Sequence, residues 1–286
     1  MEDRHVVEVA GCRAVIENGT VTKITESRIT FCPFAKRFAS PINPVTAETV
    51  RKNIEHRIAA FGMCTPDRQV LATESMVLFG ASELLTTALR NGTLDAAVIA
   101  CDGAGTVIVR TPELVQGIGG RMSGLVSTVA YPDVIRRIED AGGIVIDREH
   151  ASLDAAAGVA EARRRGYGKI AVTVAGCGID AAESIRRQWP DTVIIAVHTS
   201  FIRTAEEAER LFAACDLVFA CASKHVRDAA AEAACVQGGV GVPVFAASPA
   251  GKRIILERLM ETNEPFVVKN MKLPVCDMGK QPDPLV

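Results

Sequence analysis

Cys221-Ala222-Ser223-Lys224-His225 puts a thiol, a hydroxyl, an ammonium and an imidazole within five residues, just after an apolar run. A thiol at a strand end followed by a helix start can be drawn toward the thiolate by the helix N-terminus and by neighbouring cations, so Cys221 reads as a candidate nucleophile with His225 as its base partner. A second such step is Cys101-Asp102, followed by Gly103, Ala104, Gly105 and Thr106. There Cys101 is the candidate nucleophile and Asp102 the base partner. Three glycine-rich turns, "CDGAGT" (101–106), "QGIGGRMSG" (116–124) and "AGCGID" (175–180), can bring amide N–H groups toward an anion. Gly103, Gly105, Thr106, Gly119, Gly120 and Arg121 are the ligand-binding candidates from the first two, Arg121 as an anion clamp. His198 and Ser200, in "AVHTS", and Ser223 and Lys224 complete that set.

Thiolates and imidazoles also suit zinc or an iron–sulfur cluster, with Cys64, Cys101, Cys221 and His225 as candidate ligands. No CxxC or HExxH pair occurs, so such a site would be assembled from distant segments. No turn ends in the Gly-Lys-Ser/Thr of a P-loop, and "AGCGID" lacks the third glycine of a dinucleotide fingerprint. The plainer readings are packing ones: a cysteine closing a strand, a glycine making a tight turn, and His5 and His56 as core or surface histidines.

The elements that would position these residues follow from periodicity. Residues 5–25 alternate around Gly11 and Asn18-Gly19 and predict a small antiparallel meander. Val50, Ile54, Ile58 and Phe61 recur at helical spacing up to Gly62, a further helix is expected over 75–90, and 94–101 reads as a buried strand. From about Ile146 strands ("KIAVTVAG", "TVIIAVHTS", "DLVFACAS", "VPVFAAS") alternate with helices, which predicts a parallel doubly wound sheet. Asp180-x-x-Glu183 and Thr204-x-x-Glu207 fit helix caps. The fold class expected is therefore α/β in two halves. An N-terminal α/β domain with the meander spans 1–147, a Rossmann-like domain 148–262, and a proline-rich tail 263–286 is either mobile or an arm onto a partner subunit of a homo-oligomer. Ligands of such sheets bind beyond the carboxyl ends of the strands, here in a cleft shared by the halves.

Composition narrows the function. With 286 residues, 48% of them hydrophobic and a net charge of −2 without basic runs, the chain is a poor partner for nucleic acid. Its apolar windows are too short to span a bilayer, no export signal opens it, and nine cysteines are an odd number, so a cytoplasmic protein with reduced thiols is expected.

The segments "FGMCTPDR" (61–68), "AAVIACDGAGTVIV" (96–109), "ELVQGIGGRMSGLV" (113–126), "IAVTVAG" (170–176), "AVHTS" (196–200) and "ACASKH" (220–225) together resemble the methanogenesis marker protein 8 family, over about residues 5–260. The resemblance implies an archaeal cytoplasm and a service to methyl-coenzyme M reductase or to the coenzymes of methane formation. It supplies no catalytic residue and no named cofactor. The expectation is thus a methanogenesis-associated protein binding a small anionic ligand or cofactor, with thiol enzyme, metal protein and docking protein without chemistry as the alternatives.

Overall fold

The structure, a computed structural model, describes residues 3–286. β1 (Arg4–Val9), β2 (Cys12–Glu17) and β3 (Thr20–Ile24) form the expected meander. Both turns run through left-handed backbone, at Ala10-Gly11 and at Asn18-Gly19, which suits the twist of two-residue hairpins. α1 (Ala47–Phe61) is fixed at its start by a capping box between Thr46 and Thr49 and at its end by left-handed Gly62. α2 (Ala81–Arg90) begins six residues later than the apolar spacing suggests. The amides of Met76 and Val77 bond the Glu83 carboxylate, which holds the chain before the helix in an open turn.

β4 (Ala96–Cys101), β5 (Gly105–Val109), α3 (Pro112–Ile118), β6 (Gly124–Ser127), α4 (Pro132–Asp140) and β7 (Ile144–Val145) follow, then α5 (Ala155–Arg164), β8 (Ile170–Ala175), α6 (Ile179–Gln188), β9 (Val193–Val197), α7 (Ala205–Ala214), β10 (Leu217–Phe219) and α8 (Lys224–Ala233). β11 (Val236–Gly238), β12 (Val244–Ala246) and α9 (Pro249–Glu261) close the chain of elements. The small sheet has the order β3-β2-β1-β6, and the large one β11-β12-β10-β9-β8-β4-β5-β7.

The large sheet is mixed, which corrects the expectation of a parallel one. Only β4, β8, β9 and β10 run parallel, while β5, β7, β12 and β11 are antiparallel to their neighbours. No helix separates β11 from β12, so the chain turns straight back, and "VPVFAAS" lies antiparallel to β10. β4 pairs with β8 through Ala96–Ile170, Ala97–Ala171 and Val98–Val172, so strands from both sides of position 147 share one sheet.

Side chains of β4 alternate between its two faces. Ala97, Ile99 and Cys101 pack with Leu84, Leu114, Ile138 and Ile254, and Ala96 and Val98 with Val159, Ile185, Leu211 and Val226. Helices therefore cover both faces of the large sheet. A third core of Val7, Ile16, Ile54 and Met63 lies between the small sheet and α1.

Two further expectations are corrected. α6 starts at Ile179 without a side-chain cap, and Asp180 and Glu183 instead both reach Arg210 on α7. The expectation of a mobile tail is corrected over 275–286: Val275 exchanges hydrogen bonds with the Gln237 side chain, Asp283 bridges Phe31, and Val286 bonds Ala222 and Lys224. Among the described residues no helix is long and apolar enough to cross a membrane.

Candidate functional site

β9 and β10 are parallel neighbours, and the chain leaves both in left-handed backbone, at His198 (φ 53°) and Cys221 (φ 43°). For residues with a Cβ this conformation costs on the order of 1–3 kcal/mol, and it recurs where a side chain must be aimed at a ligand. Cross-links hold the two turns together. Thr199 Oγ1 donates to the Phe219 carbonyl, and the Ala222 amide donates to Ser200 Oγ at 3.1 Å.

Beyond these strand ends lies a cavity of about 260 Å³. His198, Ser200 and Cys221 form one part of its lining, with Glu8 from β1, Cys32 and Phe38 from the following loop, Ser82 and Glu83 from the start of α2, and Gly119, Gly120 and Ser123 from the segment joining α3 to β6. It sits where an open α/β sheet places its ligands.

Glu8 is almost completely buried. One carboxylate oxygen accepts the Gly11 amide, and the other lies 3.4 Å from His198 Nδ1. Gly124 makes room for that pair: a Cβ there would stand 3.0 Å from Glu8 Oε2 and 3.5 Å from His198 Cγ. Burial pushes the Cys221 thiol up, while the backbone N–H and hydroxyl of Thr199 face its sulfur and oppose the shift. Cys32 is likewise raised by burial and opposed by the N–H groups of Ala35 and Phe34. Both cysteines of the cavity thus rest as thiols, each already facing donors that would stabilise its anion.

The structure gathers Gly119, Gly120, His198, Ser200 and Cys221 of the expected residues at this cavity. The others lie elsewhere. Cys101 to Thr106 form the tight hairpin between β4 and β5, with Cys101 paired to Gly105 and Gly103 and Gly105 left-handed. Asp102 is fully buried, accepting from Arg68 Nε (2.9 Å) and the Cys64 amide (2.6 Å), and burial pushes the Cys101 and Cys64 thiols up with the Asp102 charge adding to it. These are the properties of a structural strut rather than of an exposed nucleophile and base. Thr106 Oγ1 accepts the Asp154 amide at the start of α5. Arg121 stacks on Phe61, Lys224 pairs with Asp228, and Ser223 caps α8 through the Val226 amide. His225 lies half-buried in the first turn of α8, outside the cavity lining. Among the described residues no three His, Cys, Asp or Glu side chains gather to hold a metal ion, so Cys64, Cys101, Cys221 and His225 do not converge as a metal centre.

A packing role for Gly105 gives a direct expectation. A Cβ there would run into the Ala151 carbonyl, and the backbone is left-handed, so Gly105→Ala should destabilise the protein by about 1–3 kcal/mol. Urea denaturation would show it as a lower midpoint at unchanged slope; a neutral result would return this turn to the ligand-binding candidates.

Glu8, Cys32 and Ser123 are the residues that the sequence reading missed. Glu8 had a signal, an acid inside the apolar run "HVVEV" of a strand whose neighbours are all buried. Ser123 lay inside the glycine-rich turn 116–124, where Gly119, Gly120 and Arg121 were chosen instead, and Cys32 had no signal, since it lies in a loop whose partners are remote in the chain.

The fold and cavity define an α/β protein with a mixed eight-stranded sheet, a small antiparallel sheet and a lined cavity at the carboxyl ends of β9 and β10. The chain belongs to an archaeal family described as uncharacterized protein conserved in archaea (DUF2099), whose model matches residues 5–260. It is 40% identical, over 99% of its own length and all of the relative's, to the uncharacterized protein MJ0054 of Methanocaldococcus jannaschii. A chain of a NiFe hydrogenase complex from Methanosarcina barkeri superposes with a TM-score of 0.32 at 12% identity, over 63% of this chain and 72% of that one, too distant to bear on function.

Proposed function

We propose that this protein binds a small anionic molecule in the cavity and acts on it through Cys221, with His198 as proton acceptor and Glu8 orienting the imidazole. The observation that carries this reading is that all three side chains line one cavity, two of them on left-handed backbone at neighbouring strand ends. Because the resting thiol is protonated, attack on an electrophilic carbon requires its proton to leave. His198 Nε2 has no hydrogen-bonding partner among the described residues, and the Glu8 carboxylate 3.4 Å from Nδ1 orients the ring so that Nε2 is left to take the proton. The Thr199 backbone N–H then serves the sulfur as it gains charge, the Thr199 hydroxyl proton being already held by the Phe219 carbonyl.

The family's archaeal membership supports the cellular setting, and the resemblance to methanogenesis marker protein 8 extends it to a cytoplasmic service to methyl-coenzyme M reductase or its coenzymes. That finer assignment rests on the quoted motifs alone.

Alkylation kinetics followed residue by residue by peptide mass spectrometry test the site. With iodoacetate, labelling of Cys221 should saturate as reagent concentration rises, because the reagent occupies the cavity before it reacts. The exposed Cys177 and Cys235 should label in simple proportion to reagent. A linear dependence at Cys221, at a rate no higher than at Cys177, would remove the basis for the proposal.

A further inference from the structure

Arg57 is the feature of the molecule that the cavity chemistry above leaves without a purpose. It stands on α1, 8% exposed, on the face that also buries Asn53 and Ile54. The other deeply buried arginines are compensated. Arg68 binds the Asp102 carboxylate and the carbonyls of Gln69, Gly117 and Ile118, and Arg227 donates to four carbonyls. Arg57 has one side-chain hydrogen bond among the described residues, from Nη1 to Ser123 Oγ at 2.7 Å, and no carboxylate pairs with it. Its guanidinium lies 4.7 Å from the centre of the Phe38 ring. Ser123 and Phe38 both line the cavity, while Arg57 itself stands behind them, outside the lining.

Burying a cation against one neutral hydroxyl is unfavourable by several kcal/mol in general, and folded proteins tolerate it where an anion completes the site. Burial and the nearby Arg68 draw Arg57 down to about 10, against the opposing charge of Asp102, so it remains charged at neutral pH. Ser123 accepts from Arg57 and therefore keeps its own proton to donate. That donor is polarised by the cation behind it. Ser123 is followed by Gly124, which packs on Glu8 and His198, so the Arg57–Ser123 pair adjoins the catalytic candidates.

We infer that Ser123, backed by the Arg57 cation, forms the recognition subsite for the anionic group of the ligand, a carboxylate, sulfonate or phosphate, held next to the electrophilic centre that meets Cys221. This rests on the reading of the cavity as the ligand site. It adds which residues select charge, and it replaces Arg121 as the expected clamp. Arg37, exposed at the cavity lining with no ion-pair partner among the described residues, is a second cation open to the same ligand. The aromatic and aliphatic lining around Phe34, Phe38, Met76 and Met122 restricts the remainder of the ligand to a small apolar body.

The test compares iodoacetate with iodoacetamide, which share size and leaving group and differ in charge. In each, the sulfur bonds to the methylene carbon, iodide departs and the thiol proton is released. The rate ratio of anionic to neutral reagent at Cys221 should exceed the ratio at exposed Cys177 of the same molecules by about tenfold or more, as a charge-assisted hydrogen bond implies. Arg57→Gln and Ser123→Ala should each bring the two ratios together. Equal ratios in the wild type, or a preference that survives both substitutions, overturn the inference. If Arg57→Gln fails to fold, Ser123→Ala and Arg57→Lys carry the comparison. If Cys221 reacts with neither reagent, the thiol reading fails on its own, and the subsite is judged by equilibrium binding instead. Inorganic phosphate should raise the wild-type Tm above a chloride control of equal ionic strength and should leave Ser123→Ala unmoved, whereas no phosphate effect in the wild type overturns the subsite as well.

Discussion

Asp102→Ala should lower the stability of this protein by about 3–5 kcal/mol, a large share of the roughly 5–15 kcal/mol available to a folded domain. The carboxylate and the Arg68 guanidinium are both shielded completely from water and meet at 2.9 Å. Removing Asp102 leaves a buried cation whose remaining partners are carbonyls, and it strips the Cys64 amide of its acceptor. The strut joins the end of β4, the loop after α1 and the C-terminal turn of α3, so the loss should be cooperative. Equilibrium urea denaturation measures it. A double change, Asp102→Ala with Arg68→Met, should recover much of the loss by removing the stranded charge along with its partner. Asp102→Asn, tested below its unfolding midpoint, should still show saturable labelling of Cys221, because the pair lies outside the cavity. A loss of unfolding free energy under about 1 kcal/mol for Asp102→Ala would show that the pair is not structural.

His198→Asn should reduce the saturating rate of Cys221 alkylation by about 10²-fold, the lower end of what a positioned general base contributes. Asparagine is the informative replacement because it tolerates left-handed backbone and cannot take the proton. The pH profile should move too. Burial holds the Cys221 thiol above its ordinary range, so without a base the reaction depends on free thiolate, whose fraction falls tenfold per pH unit below that raised value. The variant should therefore climb with pH through and beyond the ordinary thiol range, while the wild type reacts at lower pH. Glu8→Gln should lie between the two. A variant with the wild-type rate and profile would mean that His198 does not accept the proton.

Local chemistry was readable from the chain wherever a few neighbouring residues decide it. Thr46 and Gly62 bound α1, Ser223 caps α8, and Asn18-Gly19 turns the meander, because each acts within four residues of itself. The strand-end rule also brought His198, Ser200 and Cys221 to one place. What failed was pairing between remote segments. An apolar strand such as Val244–Ala246 looks the same whether its neighbour runs with it or against it, so the direction of β12 was not legible. "CDGAGT" carries the same glycines as a ligand loop or as a hairpin turn, and what distinguishes them is Arg68, 34 residues away, holding Asp102. Arg57 was hidden for the opposite reason. On a helix it reads as one more solvated cation, and only the approach of Ser123, 66 residues on, reveals it as buried.

The docking of the tail onto the loop before α1 also bears on how the molecule folds. Thr30 and Asp283, 253 positions apart, are hydrogen-bonded, and Pro282 next to that contact lines the cavity. Contacts of such separation close late, since the intervening chain must already be compact before they stop costing loop entropy. The sheet and its helices can therefore assemble with the cavity still unwalled on this side. Release of residues 281–286 would unwall the cavity on this side at the cost of the Val286 packing on the third core, and early amide exchange at Phe31 and Asp283 is the expected sign of it.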